Sequence, residues 1–360
     1  MLEQVLASYG ISQQAIIDPY GTGLINHTWK VSSGENDYIL QQVNHAVFKN
    51  PGLIAENIQA VADWLKNNHP GYFFVAPVPT REGSPMLFSP GNGYFRLFPY
   101  VKRSRTYDVA ETPQLAFEAA RQFGLFTRKL AGFPVENLKI TLPDFHNLAL
   151  RYRQFEQAAA QGNPDKIYTA REVIGFLRSQ EHLVATYQQI VTGNAFRQRV
   201  THHDTKISNV LFDEKQQGLC VIDLDTVMPG YFISDAGDMM RTYLSPVSEE
   251  EKDFSKIVIR EEYFRAIVQG YLAEMEAELT ETETGHFVYA GMFMIYMQAL
   301  RFLTDYLNDD IYYGASYEGH NYTRACNQVV LLERMIEKKN SLNRIVLETA
   351  KSTRLALFAN

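Results

Sequence analysis

Between residues 202 and 225 the chain reads His202-His203-Asp204-Thr205-Lys206-Ile207-Ser208-Asn209, then an apolar run, a polar turn, a second apolar run, and Ile222-Asp223-Leu224-Asp225. The apolar runs are Val210-Leu211-Phe212 and Leu219-Cys220-Val221-Ile222, around the turn Asp213-Glu214-Lys215-Gln216-Gln217-Gly218. Two apolar runs about a polar, glycine-ended turn predict a β-hairpin. A hairpin closes on itself, so the residues at its open ends meet. Here those residues are Asn209 and Asp223, an amide oxygen and a carboxylate within reach of one divalent ion. Such hard oxygen donors are what Mg²⁺ takes. Any one of these residues alone is an ordinary turn or cap residue. The hairpin between them gives the set its meaning.

Asp204 and Asn209, with four residues between them, match the catalytic-loop pattern of phosphoryl transfer. In that pattern the Asp accepts the proton of the acceptor hydroxyl and the Asn holds metal. The segment resembles the aminoglycoside phosphotransferase and choline kinase superfamily, and within it the N-acetylhexosamine 1-kinases. The closer match is carried by Gly23-Leu24-Ile25-Asn26-His27-Thr28, Tyr38-Ile39-Leu40-Gln41-Gln42-Val43-Asn44 and Val47-Phe48-Lys49-Asn50-Pro51. It continues in Tyr94-Phe95-Arg96-Leu97-Phe98-Pro99-Tyr100, the segment from His202, and Arg301-Phe302-Leu303-Thr304-Asp305-Tyr306-Leu307. The resemblance implies an α+β, two-lobed protein-kinase-like fold. A small β-rich nucleotide-binding lobe is expected over 1–100 and a larger, mainly helical lobe over 101–360. It also implies ATP as co-substrate with Mg²⁺.

Local patterns agree with that division. Strands are expected near 24–32 and 37–43, and a second hairpin around Ser89-Pro90-Gly91-Asn92-Gly93. A helix should follow Pro51, with Ile54, Ile58, Val61 and Leu65 on one face. Further helices are expected over about 145–160, 169–191, 250–278, 283–308 and 320–338. With 46% hydrophobic residues the chain can bury a sizeable core. A net charge of −7 argues against nucleic acid or an anionic membrane as partner. No apolar run reaches bilayer-spanning length, and the N-terminus carries no secretion signal. Two cysteines, Cys220 and Cys326, make no disulfide framework, so a reduced, cytoplasmic setting is expected, and no protein partner is implied.

The resemblance assigns further positions. Gly21, Gly23, Asn26 and Thr28 would line the ATP phosphates, since glycines let backbone amides approach phosphate oxygens. The hinge Leu97, Phe98 and Tyr100 would read the adenine edge through backbone groups, with Pro99 unable to donate. His27, Tyr243, Arg301 and Tyr312 would face the acceptor. Asp225 is a second metal ligand or an acceptor contact. Asp235 would hold the catalytic loop by charge-assisted hydrogen bonds, and Asp238 and Arg241, three apart on one helix, would pair.

One position departs from the kinase pattern: Gln41 or Gln42 stands where a strand lysine would pair with phosphate. Lys206, two residues past Asp204, is the leading replacement, with Lys30 and Lys49 behind it. The expected activity is therefore ATP-dependent phosphorylation of an N-acetylhexosamine at its anomeric hydroxyl. The alternatives are kinases of choline, homoserine or an aminoglycoside, or a catalytically silent nucleotide-binding module.

Overall fold

Five antiparallel strands build the small lobe: β1 (Ile16–Pro19), β2 (His27–Ser33), β3 (Asn36–Val43), β4 (Leu87–Ser89) and β5 (Gly93–Pro99), in sheet order β1-β2-β3-β5-β4. The structure, a computed structural model, describes residues 1–21 and 25–358, without the side chains of 357 and 358. β2 and β3 meet at the expected turn, where Gly34 takes φ 63°, a left-handed conformation suited to glycine. Their register pairs Thr28 with Gln41, and the β3–β5 register pairs Gln41 with Arg96. Helix α1 (Leu2–Ser8) closes one face, so that Val5, Leu6 and Tyr9 meet Val31, Leu40, Phe95 and Leu97 in the lobe's own core. Strand β1 has four residues, too few for an alternating pattern to announce it.

Helix α2 (Pro51–Asn68) begins on Pro51, where a missing N–H costs nothing. Its apolar residues Ile54, Ile58, Val61 and Leu65 join the core of the large lobe rather than that of the sheet. The large lobe follows with α3 (Pro113–Lys129), capped by Thr112, and α4 (Leu148–Gln161), capped by Asn147. Periodicity predicts one helix over 169–191, but the chain forms α5 (Pro164–Thr169), α6 (Arg171–Ser179) and α7 (His182–Thr192). Breaking at Ala170 and Gln180 keeps Ile174, Leu177, Leu183 and Ile190 all on one core, which a straight rod would carry past it.

Short strands then frame the functional loop: β6 (Arg199–Thr201) pairs with β9 (Met228–Gly230), and β7 (Val210–Phe212) with β8 (Gly218–Val221). Helix α8 (Phe232–Tyr243) leads away from them, followed by α9 (Glu261–Met275), α10 (Glu281–Thr284), α11 (Phe287–Leu307), α12 (His320–Glu337) and α13 (Lys339–Phe358). Helix α9 starts well after residue 250 because the polar stretch before it forms a loop with one 3₁₀ turn.

Helix α11 corrects an expectation. Its 21 residues are long and apolar enough to cross a bilayer by length and composition, yet 83% of its most apolar window is buried. It is the central rod of the large lobe, packed by α4, α8 and α12.

The helices approach closely where glycine permits. A Cβ on Gly237 of α8 would lie 2.3 Å from the Ala290 carbonyl oxygen of α11, and one on Gly270 of α9 would lie 2.2 Å from that of Phe117 in α3. Backbone carbonyls cannot rotate away as a flexible side chain can. Gly270→Ala should therefore lower the free energy of unfolding by about 1–3 kcal/mol, the usual cost of overpacking, read from urea denaturation. Unchanged stability would mean that the two helices separate without cost.

Candidate active site

The loop after β6 is held from beneath by α8. Asp235 accepts the backbone N–H groups of His202 at 3.1 Å and His203 at 2.8 Å. Asp238 accepts that of Thr205 at 2.8 Å, and the Thr205 hydroxyl donates to the Asp235 carbonyl. Burial pushes the Asp235 carboxyl up, to about 7, against the pull of the two N–H bonds. Arg241 pairs with Asp238 at 3.1 Å, as its spacing predicts, and with Glu249 at 2.7 Å. His203 adopts φ 67°, a strained conformation for a non-glycine residue that these bonds enforce. The loop is thus fixed before any ligand arrives, with the Asp204 carboxylate partly exposed. Lys206 reaches it at 3.2 Å.

Tyr243 belongs to this support and corrects an expectation. It is fully buried, and its hydroxyl donates to the Thr205 carbonyl at 2.6 Å, so it does not face an acceptor.

The hairpin closes as the sequence predicts: Ile222 N–H donates to the Asn209 carbonyl at 2.9 Å. Asn209 donates its amide N–H to the Asp204 carbonyl at 2.9 Å, and its amide oxygen takes no hydrogen bond among the described residues. Asp223, at φ 60°, opens into the cleft. Confinement, then the nearby Asp225 and Asp204 carboxylates, pushes its carboxyl upward, and solvent access moderates the shift. A crowd of carboxylates beside an unused amide oxygen fits Mg²⁺, which takes one or two protein carboxylates and completes its shell from phosphate and water.

Asp225 is not free to join that shell. One carboxylate oxygen accepts from Asn26 at 2.8 Å, and the other is paired with Arg96. Arg96 also donates from Nε to Gln41 Oε1 at 3.0 Å, and Gln41 in turn donates to the Thr28 hydroxyl at 3.3 Å. Asn26, whose oxygen also takes the Asn44 N–H at 3.0 Å, is therefore a tether between lobes rather than a free phosphate donor. Of the lysines offered as replacements for the strand cation, Lys30 pairs with Asp37 at 3.4 Å and Lys49 is exposed. The meeting of Arg96 with Gln41 carries no local sequence signal, because β3 and β5 are not consecutive and no turn length gives their register.

Gly21 has φ 77° and nothing within 4 Å of where a Cβ would stand, so its backbone angle, not close packing, calls for glycine. Gly23 lies outside the described residues. At the hinge, Tyr100 N–H donates to the Asp37 carbonyl, and the Leu97 carbonyl accepts from Val78 N–H at 2.7 Å. Alternation along β5 turns the backbone groups of Phe98 and Tyr100 toward β3. Phe98 and Tyr100 are therefore turned to the sheet, and the Leu97 carbonyl is taken by Val78. The outward-facing groups at this edge are the Pro99 carbonyl and the Val101 N–H.

A cavity of about 880 Å³ lies between α4, α11 and the loop after α11. Arg301, Tyr312 and Tyr313 line it, with Arg151 and the carboxamides of Gln154, Gln157, Gln161, Asn163 and Asn308. Arg301 makes no ion pair with Asp305. That aspartate accepts the N–H groups of Tyr312 and Tyr313 and fixes the loop. The Arg301 guanidinium lies 5.9 Å from the Phe145 ring, Phe145 stacks on His146 at 4.4 Å, and His146 Nδ1 is 3.3 Å from His203 Nδ1. This chain of contacts links the cavity to the loop bearing Asp204. Tyr312 is 74% exposed at the rim, and His27 is exposed at the start of β2. Phe145, His146 and Arg151 carried no sequence signal, being isolated residues near a helix start.

The arrangement makes Asp223→Ala informative. It should abolish Mg²⁺-dependent nucleotide binding in calorimetry while leaving the metal-free affinity within about twofold. Unchanged MgATP affinity would place the metal elsewhere.

The fold is shared with solved small-molecule kinases. A microcompartment-associated aminopropanol kinase superposes with a TM-score of 0.61 at 16% identity, over 95% of this chain and 98% of that one. An aminoglycoside phosphotransferase from Alicyclobacillus acidocaldarius gives 0.63 at 14%, over 95% and 96%. An amicoumacin kinase in complex with AMP-PNP and Ca²⁺ gives 0.62 at 14%, over 92% of each chain. The family model of the phosphotransferase enzyme family, APH, matches residues 16–279, which span the sheet, the loop bearing Asp204, the hairpin and α8. The chain is a member of that family, an enzyme that transfers phosphate to an alcohol.

Proposed function

We propose that the enzyme transfers the γ-phosphate of ATP to the anomeric hydroxyl of an N-acetylhexosamine. The observation that carries the acceptor class is the charge of the cavity. Among the described residues its two arginines, Arg301 and Arg151, form no ion pair with a carboxylate, bonding instead to Gln298, Gln154 and the Asp144 carbonyl, and burial followed by the neighbouring Arg301 pulls Arg151 below the usual guanidinium value. Its two aspartates are already engaged, Asp305 by backbone N–H groups and Asp309 by Lys166 and Asn163. Aminopropanol and an aminoglycoside, named for two of the similar structures, carry amines that would need a free carboxylate or an aromatic cage. Carboxamides, guanidinium groups and tyrosines suit a neutral sugar, giving hydrogen bonds to its hydroxyls and flat surfaces to its C–H faces.

The chemistry then needs few parts. The acceptor oxygen forms its bond to the γ-phosphorus as the bond to the β-bridging oxygen breaks, and ADP leaves. Asp204 takes the hydroxyl proton, and its loop, fixed by Asp235, Asp238 and Tyr243, keeps it aimed. Asn209 and Asp223 would hold Mg²⁺, which when bound neutralises charge on the phosphates. The Pro99 carbonyl and Val101 N–H would read the adenine edge. An anomeric hydroxyl is more acidic than an ordinary alcohol, so an unassisted carboxylate suffices as base.

Two measurements test this reading. Asp204→Asn should lower kcat by about 10²–10⁴, the usual share of a general base, with nucleotide affinity retained; full activity would remove Asp204 from the mechanism. N-acetylglucosamine or N-acetylgalactosamine should be phosphorylated, and their 1-O-methyl glycosides should not. Phosphorylation of the glycosides would exclude the 1-position, and turnover of choline or kanamycin with neither sugar used would overturn the acceptor class.

A further inference from the structure

In the protein-kinase pattern a strand lysine holds the ATP phosphates and is itself held by a helix glutamate. Neither member stands here. Gln41 occupies the strand position, and α2 offers Asn57, whose amide is committed to the backbone of Lys139 and Val227. The same corner of the small lobe nevertheless contains a buried ion pair, displaced by one strand. Arg96 lies directly across from Gln41 on β5, bonds to it through Nε, and pairs through Nη1 with Asp225. Arg96 is 2% exposed and Asp225 3%. Removing two charges from water costs several kcal/mol each, and a well-packed apolar pair often serves stability as well. Stability is therefore a poor reason for this pair. Its position is a better one: Asp225 stands two residues past Asp223, at the exit of the hairpin. The second terminal nitrogen of Arg96 donates no hydrogen bond among the described residues.

We propose that Arg96 is the phosphate-binding cation of this enzyme, with Gln41 and Asp225 as its positioning residues. The lysine–glutamate pair is replaced by an arginine–aspartate pair reached from the neighbouring strand. Asp225 is then neither a metal ligand nor an acceptor contact. A guanidinium suits the task, since it stays charged when buried and can hold a carboxylate and a phosphate on separate nitrogens. Asn26 on the other oxygen of Asp225 ties the start of β2 to the same pair. The proposal rests on the phosphotransferase reading but not on the identity of the acceptor.

The test compares Mg²⁺-supported binding of ATP with that of AMP, by calorimetry, in the unmodified protein, Arg96→Met, and Gln41→Lys with Arg96→Met. The double variant keeps the formal charge and returns a cation to the strand position beside Asp225. Arg96→Met should weaken ATP by about tenfold or more, as for a lost bond between charged groups, and change AMP by no more than about twofold. The double variant should regain most of the preference for ATP. Wild-type preference in a folded Arg96→Met overturns the proposal. If that variant does not fold, the double variant decides alone: preference for ATP retained supports Arg96, and preference lost overturns it. Failure of the unmodified protein to bind either nucleotide would instead refute the phosphotransferase reading itself.

Discussion

The buried pair of Arg96 and Asp225 joins the two lobes at the point where chemistry is expected. Arg96 comes from the last strand of the sheet and Asp225 from just beyond the hairpin of the large lobe. Breaking such a pair by removing one partner typically costs about 3–5 kcal/mol, because the remaining charge is stranded. The lobes are therefore not free to slide past each other at this point. Asn26, Gln41 and Thr28 extend the contact along three strands. The sheet is thereby fastened to the hairpin that would hold metal.

The large lobe solves a second problem, which is to present a carboxylate without letting it wander. Asp204 sits in a loop whose backbone N–H groups end on Asp235 and Asp238 and whose carbonyl at Thr205 ends on Tyr243. All three supports come from α8, and α8 lies against α11 so closely that glycine is required at 237. Packing deep in the core thus sets the position of a surface carboxylate. On the far side, α11 also carries Arg301, so one rigid helix backs both the loop and the cavity. Among the described residues the arginines of that cavity form no ion pair, and its aspartates are held by backbone N–H groups and Lys166.

Much of this was legible in the sequence because it is local. The hairpin from 210 to 221, the Asp204–Asn209 spacing and the Asp238–Arg241 pair are set within a few residues of chain, and all lie where periodicity and turn chemistry place them. What escaped depends on register between distant segments. Arg96 meets Gln41 across 55 residues and Asp225 across 129, and no local pattern encodes either meeting. The inward turn of Tyr243 is non-local for a related reason: a tyrosine near a site can point inward or outward, and burial decides. Which backbone groups of Leu97 to Tyr100 face outward is likewise set by strand pairing, because a strand's alternate backbone groups face opposite sides and the pairing partner, not the sequence, fixes which.

A structure of the enzyme with Mg²⁺ and a non-hydrolysable ATP analogue tests the central claim most directly. The account predicts an Arg96 nitrogen within hydrogen-bonding distance of a phosphate oxygen, Asp225 still paired to the same guanidinium, and the metal on Asn209 and Asp223. Arg96 turned away from the phosphates, with Asp225 released to ligate the metal, would contradict it.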